Sequence, residues 1–272
     1  SLNAGMLLIS NTIRSPSPIL VRWLMKPALS NKTIPHPSTW SAMNNGPWVL
    51  ESIQTRLDEW CPKLFGYHML KLGGLSCELT SCNCNIQHQV NVDIQNPLHN
   101  VIADGYELPF LEKSFDVVIL AHQLDYASDP HRLLREVDRV MMDDGYVIIT
   151  GFNPLSLTGL ASLLPWRKHN LPWSGRMFTS NRIKDWLGLL NYQVIHCDRY
   201  ALFPMKRYRT MWTWLENSLG DWASPAGSLY YIVARKRTYP LKPIKPHWRL
   251  KKKLTPLGVM NREGNTMRKE SR

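Results

Sequence analysis

Residues 103–154 decide the fold, because ADGYELPF (103–110), SFDVVILAH (114–122), DPHRLLREVDRV (129–140) and DDGYVIITGFNP (143–154) follow one another with short connections. Residues 115–120 are a short apolar, β-branched run, too short for a helix and bounded by polar turn residues on the N-terminal side, which predicts a buried parallel strand. Asp129 then stands as an N-cap with Pro130 at the first helical position. Leu133, Leu134, Val137, Val140 and Met141 recur at helical spacing on one face. Asp144-Gly145 is the expected stop of that helix, and residues 146–150 the next buried strand. Local signals therefore specify a strand-helix-strand crossover, whose strand ends form a ligand-binding edge.

Outward from this unit the alternation continues. Residues 49–60 read as an amphipathic helix with Trp48, Leu57 and Trp60 available for packing, residues 67–72 as the first central strand, 89–92 as the second and 100–103 as a short third. After the crossover, Thr179 or Ser180 caps a helix carrying Ile183, Trp186, Leu187 and Leu190 and ending at Asn191. Residues 192–196 and 228–234 are the last two strands. The class is α/β, with a doubly wound, mostly parallel sheet; the alternation alone fits several doubly wound folds.

The order of segments, with Leu108-Pro109-Phe110, Ser114-Phe115-Asp116 and Asp129-Pro130, closely resembles the class I S-adenosylmethionine-dependent methyltransferases of the ubiquinone/menaquinone-methyltransferase-like branch (methyltransferase type 11), and particularly uncharacterised bacterial members. The resemblance covers roughly residues 48–237. It implies a Rossmann-like, seven-stranded sheet whose last two strands form an antiparallel edge pair, and S-adenosyl-L-methionine as cofactor. It implies a glycine loop after the first strand, where Gly73 is in register and Gly74 is displaced. It places Asp104 and Gly105 on the cofactor's adenine, and Ala121, His122 and Gln123 beside its sulfonium, where a backbone carbonyl can hold the cofactor's amino group. Asp93 lies 20 residues beyond Gly73, about where an acidic residue accepts from ribose hydroxyls in nucleotide-binding sheets. Each carboxylate also has a plain reading as a turn residue, and His122 as a local cap.

His122 is the one side chain in its segment suited to taking a proton from an attacking hydroxyl, with Asp125 and Tyr126 following as candidate walls of an acceptor pocket. Methyl transfer needs no protein nucleophile, since the sulfonium is already activated and the protein supplies alignment and desolvation. The first function reading is therefore a methyltransferase acting on a small or apolar acceptor. The pattern departs from the family at Lys71, where an acidic residue is usual, and at Leu75 and Cys77, which occupy glycine positions. Side chains there predict crowding of the cofactor's methionine half. They support the second reading, a non-catalytic binding or regulatory protein that keeps the fold.

Length and 44% apolar content suffice for one full core within residues 25–237. The net charge of +12 suggests nucleic acid, but 13 Lys/Arg against 2 Asp/Glu lie from Arg235 onward, leaving only +1 for residues 1–234. Residues 238–272 read as a basic disordered tail, a solvated end with possible weak contact to nucleic acid or an anionic membrane. Residues 1–24 hold two Arg, no acidic residue and apolar patches too short to span a bilayer; they read as a disordered or non-native leader, with Met25 as the expected start. No transmembrane segment is predicted. Five cysteines, an odd number, argue against a disulfide framework and for the cytoplasm. The spacing of Cys77, Cys82, Cys84 and His88 matches no common zinc pattern, so buried thiols are expected rather than a metal site. Residues 155–177, with Trp166 and Trp173, lie where family members build a lid over the acceptor, while Trp212, Trp214 and Trp222, in the insertion before the last strand, suit a flat or apolar substrate or equally ordinary core packing.

Overall fold

A computed structural model describes residues 28–30, 34–43, 45–95, 98–156, 159, 174–201 and 227–238. The leader (1–24), the tail from 239 and the tryptophan-bearing parts of both insertions lie outside the described residues. In chain order the elements are α1 (Gly46–Trp60), β1 (His68–Leu72), α2 (Gly74–Cys77), β2 (His88–Val92), β3 (Phe115–Ala121), α3 (Gln123–Tyr126), α4 (Pro130–Val140), β4 (Met141–Phe152), α5 (Ser180–Leu189), β5 (Tyr192–Tyr200) and β6 (Leu229–Lys236). The sheet order is β2-β1-β3-β4-β6-β5. β1 pairs parallel with β2 and β3, and β3 with β4, while β6 is antiparallel to both β4 and β5. This is the doubly wound arrangement with the antiparallel edge pair.

Among the described residues six strands are present where seven were expected. The short third strand is reduced to a single parallel bridge between Val92 and Val101. Its neighbours explain why it stops: Asn100 and Val101 both donate N–H to the Asn91 carbonyl, and by Asp104 the chain has turned to cap its own loop.

Strand alternation sends side chains to two apolar layers. Leu70, Leu72, Val118, Leu120, Val147 and Ile149 pack under α4 and α5, whereas Met69, Val117, Ile119 and Ile148 pack under α1 through Val49, Ile53 and Leu57. The helix ends follow their caps. The Asp129 carboxylate accepts from the N–H groups of His131 and Arg132, both at 3.1 Å, which stabilises α4 by about 1 kcal/mol. Thr179 Oγ1 accepts from Arg182 N–H, and Asn191 takes a left-handed φ of 62° just past α5.

Asp144-Gly145 does not end α4. The helix stops at Val140, and Met141 is already extended and paired with Phe115. The N–H groups of Lys113 and Ser114 take the carbonyls of Arg139 and Val140, so the last turn is satisfied by the approach to β3. Asp144 (φ 64°) instead forms an irregularity within β4, between the Phe115–Met141 and Val117–Tyr146 pairs.

The expectation of unpaired thiols is corrected at Cys61 and Cys84, which form a disulfide. The end of α1 and the loop before β2 bring their Cα atoms to 4.4 Å across 23 residues. Cys77, Cys82 and Cys197 are free. No helix of the described residues is long and apolar enough to cross a membrane.

Candidate functional site

At the carboxyl ends of β1, β2 and β3 the backbone opens a cleft of about 400 Å³, within the range of small-ligand sites. Gly73, Asp93, Asp104, Gly105 and Gln123 are in its wall, with Tyr126 and Ser128.

Gly73 leaves β1 with φ 90°, its N–H bonded to the Val92 carbonyl at 2.8 Å. A Cβ there would overlap Gln123 Oε1, so glycine serves both the backbone and the space. The chain then enters α2 at once, which carries Leu75 and Cys77 away from the cleft. Leu75 is fully buried beneath Trp40, whose indole N–H donates to the Leu75 carbonyl at 2.9 Å, and Cys77 is buried on the same short helix. The expected crowding of the cleft by these two side chains does not occur. Gly74 also stands behind the wall; a Cβ on it would press on the Ser38 carbonyl. Lys71 points to the α1 side, where its ammonium donates to the Leu79 carbonyl at 2.6 Å, and burial lowers its pKa.

Asp93 and Asp104 both line the cleft, and each also holds its own turn. The Asp93 carboxylate accepts from Gln95 N–H and Asp104 Oδ1 from Tyr106 N–H, both at 3.1 Å. The second oxygen of Asp104 and the Gly105 N–H have no protein partner among the described residues. Tyr106 is fixed in turn, its hydroxyl 2.9 Å from Ser128 Oγ and accepting from Asp129 N–H.

Ala121 and His122 are behind the wall rather than in it. Ala121 N–H donates to Ser76 Oγ at 2.8 Å. His122 has a left-handed φ of 53° at the junction of β3 and α3, and its ring is fully buried between Trp40 and Phe152, with centroids 5.6 and 4.2 Å away. Its Nδ1 lies 3.0 Å from Asp125 Oδ2, which also accepts from Phe152 N–H at 3.0 Å. Burial pushes the Asp125 carboxyl up, opposed by those two donors. Of the two readings of His122, proton acceptor or local hydrogen bond, the geometry carries the local bond: the left-handed backbone turns the imidazole inward, where it meets Asp125.

Ser30, Ile34 and His36 also line the cleft. No motif marks them, and they precede the stretch on which the resemblance rests. Among the described residues no group of three or more His, Cys, Asp or Glu is placed to hold a metal ion.

The methyltransferase domain family matches residues 72–149, the span from the end of β1 through β4. Along most of its length the chain is 44% identical to the uncharacterised protein YafS of Escherichia coli K12, over 218 residues covering 80% of this chain and 88% of that one. The chain belongs to the type 11 methyltransferase family. Within that family, demethylmenaquinone methyltransferase of Thermobifida fusca is 35% identical over 82 residues, 30% of this chain and 35% of that protein. A solved S-adenosylmethionine dependent methyltransferase from Mesorhizobium loti shares the fold, with TM-score 0.50 and 16% identity over 69% of this chain and all of that one.

The cysteines of this family member are expected to differ in reactivity. Burial pushes the Cys77 thiol up to about 12, with the Asp93 charge acting in the same sense, whereas Cys82 is exposed. Alkylation of the native chain followed by peptide mass mapping should therefore label Cys82 readily and Cys77 only on unfolding. Cys61 and Cys84 should label only after reduction. Equal rates at Cys77 and Cys82 would contradict the burial of α2.

Proposed function

We propose that the protein is an S-adenosyl-L-methionine-dependent methyltransferase acting on a small or apolar acceptor. The observation that carries this reading is the cleft at the ends of β1, β2 and β3, with two carboxylates and two glycines in its wall. The cofactor fits these residues: the volume suffices, backbone at Gly73 and Gly105 can be approached closely, and Asp104 keeps an oxygen without a protein partner among the described residues. Asp93 would accept from ribose hydroxyls. Asp104 would accept from the adenine amine, with Gly105 N–H beside it as a donor to a ring nitrogen. When bound, the cofactor supplies an activated methyl group.

The rest of the work falls to the chain. The tight Gly73 turn and the Tyr106–Ser128 contact hold the cleft walls at fixed separation, so that alignment need not be acquired during reaction. Ile34 and Tyr126 add apolar surface that excludes water beside Gln123. Transfer from an activated sulfonium requires no protein nucleophile. The departures that favour a non-catalytic module, at Lys71, Leu75 and Cys77, all face away from the cleft.

Calorimetric titration of the full chain with S-adenosylhomocysteine tests the reading. Saturable binding at one site is the expected result. Absence of heat at millimolar ligand would overturn it.

A further inference from the structure

Gln123 enters the cleft from the end of β3, and the residue that orients it comes from the far N-terminal side of the chain. Its Oε1 lies 2.7 Å from His36 Nε2. With the amide oxygen turned to the ring, the imidazole N–H donates, and the amide NH2 group is left without a hydrogen bond among the described residues. His36 is itself set edge-on to Tyr126, with ring centroids 5.6 Å apart. The bare Cα of Gly73 completes the seat, since a Cβ there would overlap the amide. Residues 36, 73 and 123 thus hold two N–H donors at the cleft wall.

Sheet order separates these donors from the carboxylates. Asp93 follows β2 on one side of β1, and Gln123 follows β3 on the other. The cleft therefore runs from an acceptor-bearing end to a donor-bearing one. S-adenosylmethionine has the complementary polarity, with hydroxyls and an amine on its nucleoside and a carboxylate on its amino-acid end.

Resting on the cofactor reading above, we propose that Gln123 binds the cofactor's amino-acid carboxylate, with His36 as the positioning residue that fixes the amide. This assigns a ligand role to the first side chain of α3, seated against the bare Cα of Gly73.

The test uses the full chain and two ligands: S-adenosylhomocysteine, and 5′-methylthioadenosine, which lacks the amino-acid end. Gln123→Leu is expected to weaken S-adenosylhomocysteine about 10- to 100-fold, the scale of a lost hydrogen bond to a charged group, and to leave methylthioadenosine within about twofold. His36→Ala should give a smaller loss with the same selectivity, and His36→Gln, which keeps a donor, should restore part of it. Should Gln123→Leu fail to fold, isosteric Gln123→Glu sets carboxylate against carboxylate and must show the same selectivity more strongly. Equal losses for both ligands, or none for S-adenosylhomocysteine, would overturn the assignment while leaving the cofactor reading intact. Failure of the unsubstituted chain to bind either ligand would remove both.

Discussion

Asp125→Leu is expected to lower the unfolding free energy by about 3–5 kcal/mol, the scale for removing one partner of a buried charged contact. Asp125 is 1% exposed, and one of its oxygens accepts from both His122 Nδ1 and Phe152 N–H at 3.0 Å. Leucine matches its size but leaves a buried backbone donor and a buried imidazole unpaired, each costing about 1–3 kcal/mol. Asp125→Asn keeps one oxygen that can accept from both donors, loses the charge, and should lose less, about 1–2 kcal/mol. Urea unfolding with an unchanged slope is the measurement. A Leu variant within 1 kcal/mol of the parent would mean that the junction of β3 and α3 does not depend on this pair.

Asp104→Ala is expected to weaken S-adenosylhomocysteine by about 1.5–3 kcal/mol, roughly 10- to 150-fold, because a charged acceptor on the nucleoside is lost. Stability should change little, since the bond to Tyr106 N–H that disappears with it is exposed. Asp104→Asn separates the two roles of the residue. Its amide oxygen can still cap the turn, so affinity that survives in Asn but not in Ala would assign Asp104 to the turn rather than to the ligand. Calorimetry on all three forms, beside their melting temperatures, decides between them.

Much of the fold could be read from local chemistry. Asp129-Pro130 and the apolar stripe of α4 fixed the crossover, and the apolar run before Ala121 fixed the strand entering the site. The end of α4 was misplaced because Asp144-Gly145 is a strong stop signal wherever it occurs, and only pairing of Met141 with Phe115 reveals that the strand has already begun. Asp93 was reached from its spacing beyond Gly73, and Asp104 and Gly105 through the family resemblance of the stretch before Leu108-Pro109-Phe110; all three line the cleft. Between the two readings of His122 the sequence could not choose: it lies at a strand end, but whether an imidazole faces a cleft or a core depends on a backbone angle that no single residue announces. His36 was invisible, since its role depends on a partner 87 residues later in the chain.

The segment that supplies His36 also has consequences for synthesis. Ser30 N–H donates to the Ser128 carbonyl, and the Ala28 carbonyl accepts from Arg176, 148 positions downstream. On the ribosome this piece of chain emerges before the sheet yet gains its Arg176 anchor only after β1 to β4 have been translated, with β5 and β6 still to come. Until then the sheet can assemble without it, because none of the paired strands includes those residues. A nascent chain halted before residue 176 would therefore hold the three strand ends of the cleft but lack the Arg176 anchor of its N-terminal wall, so ligand affinity should mature only after that residue has been made.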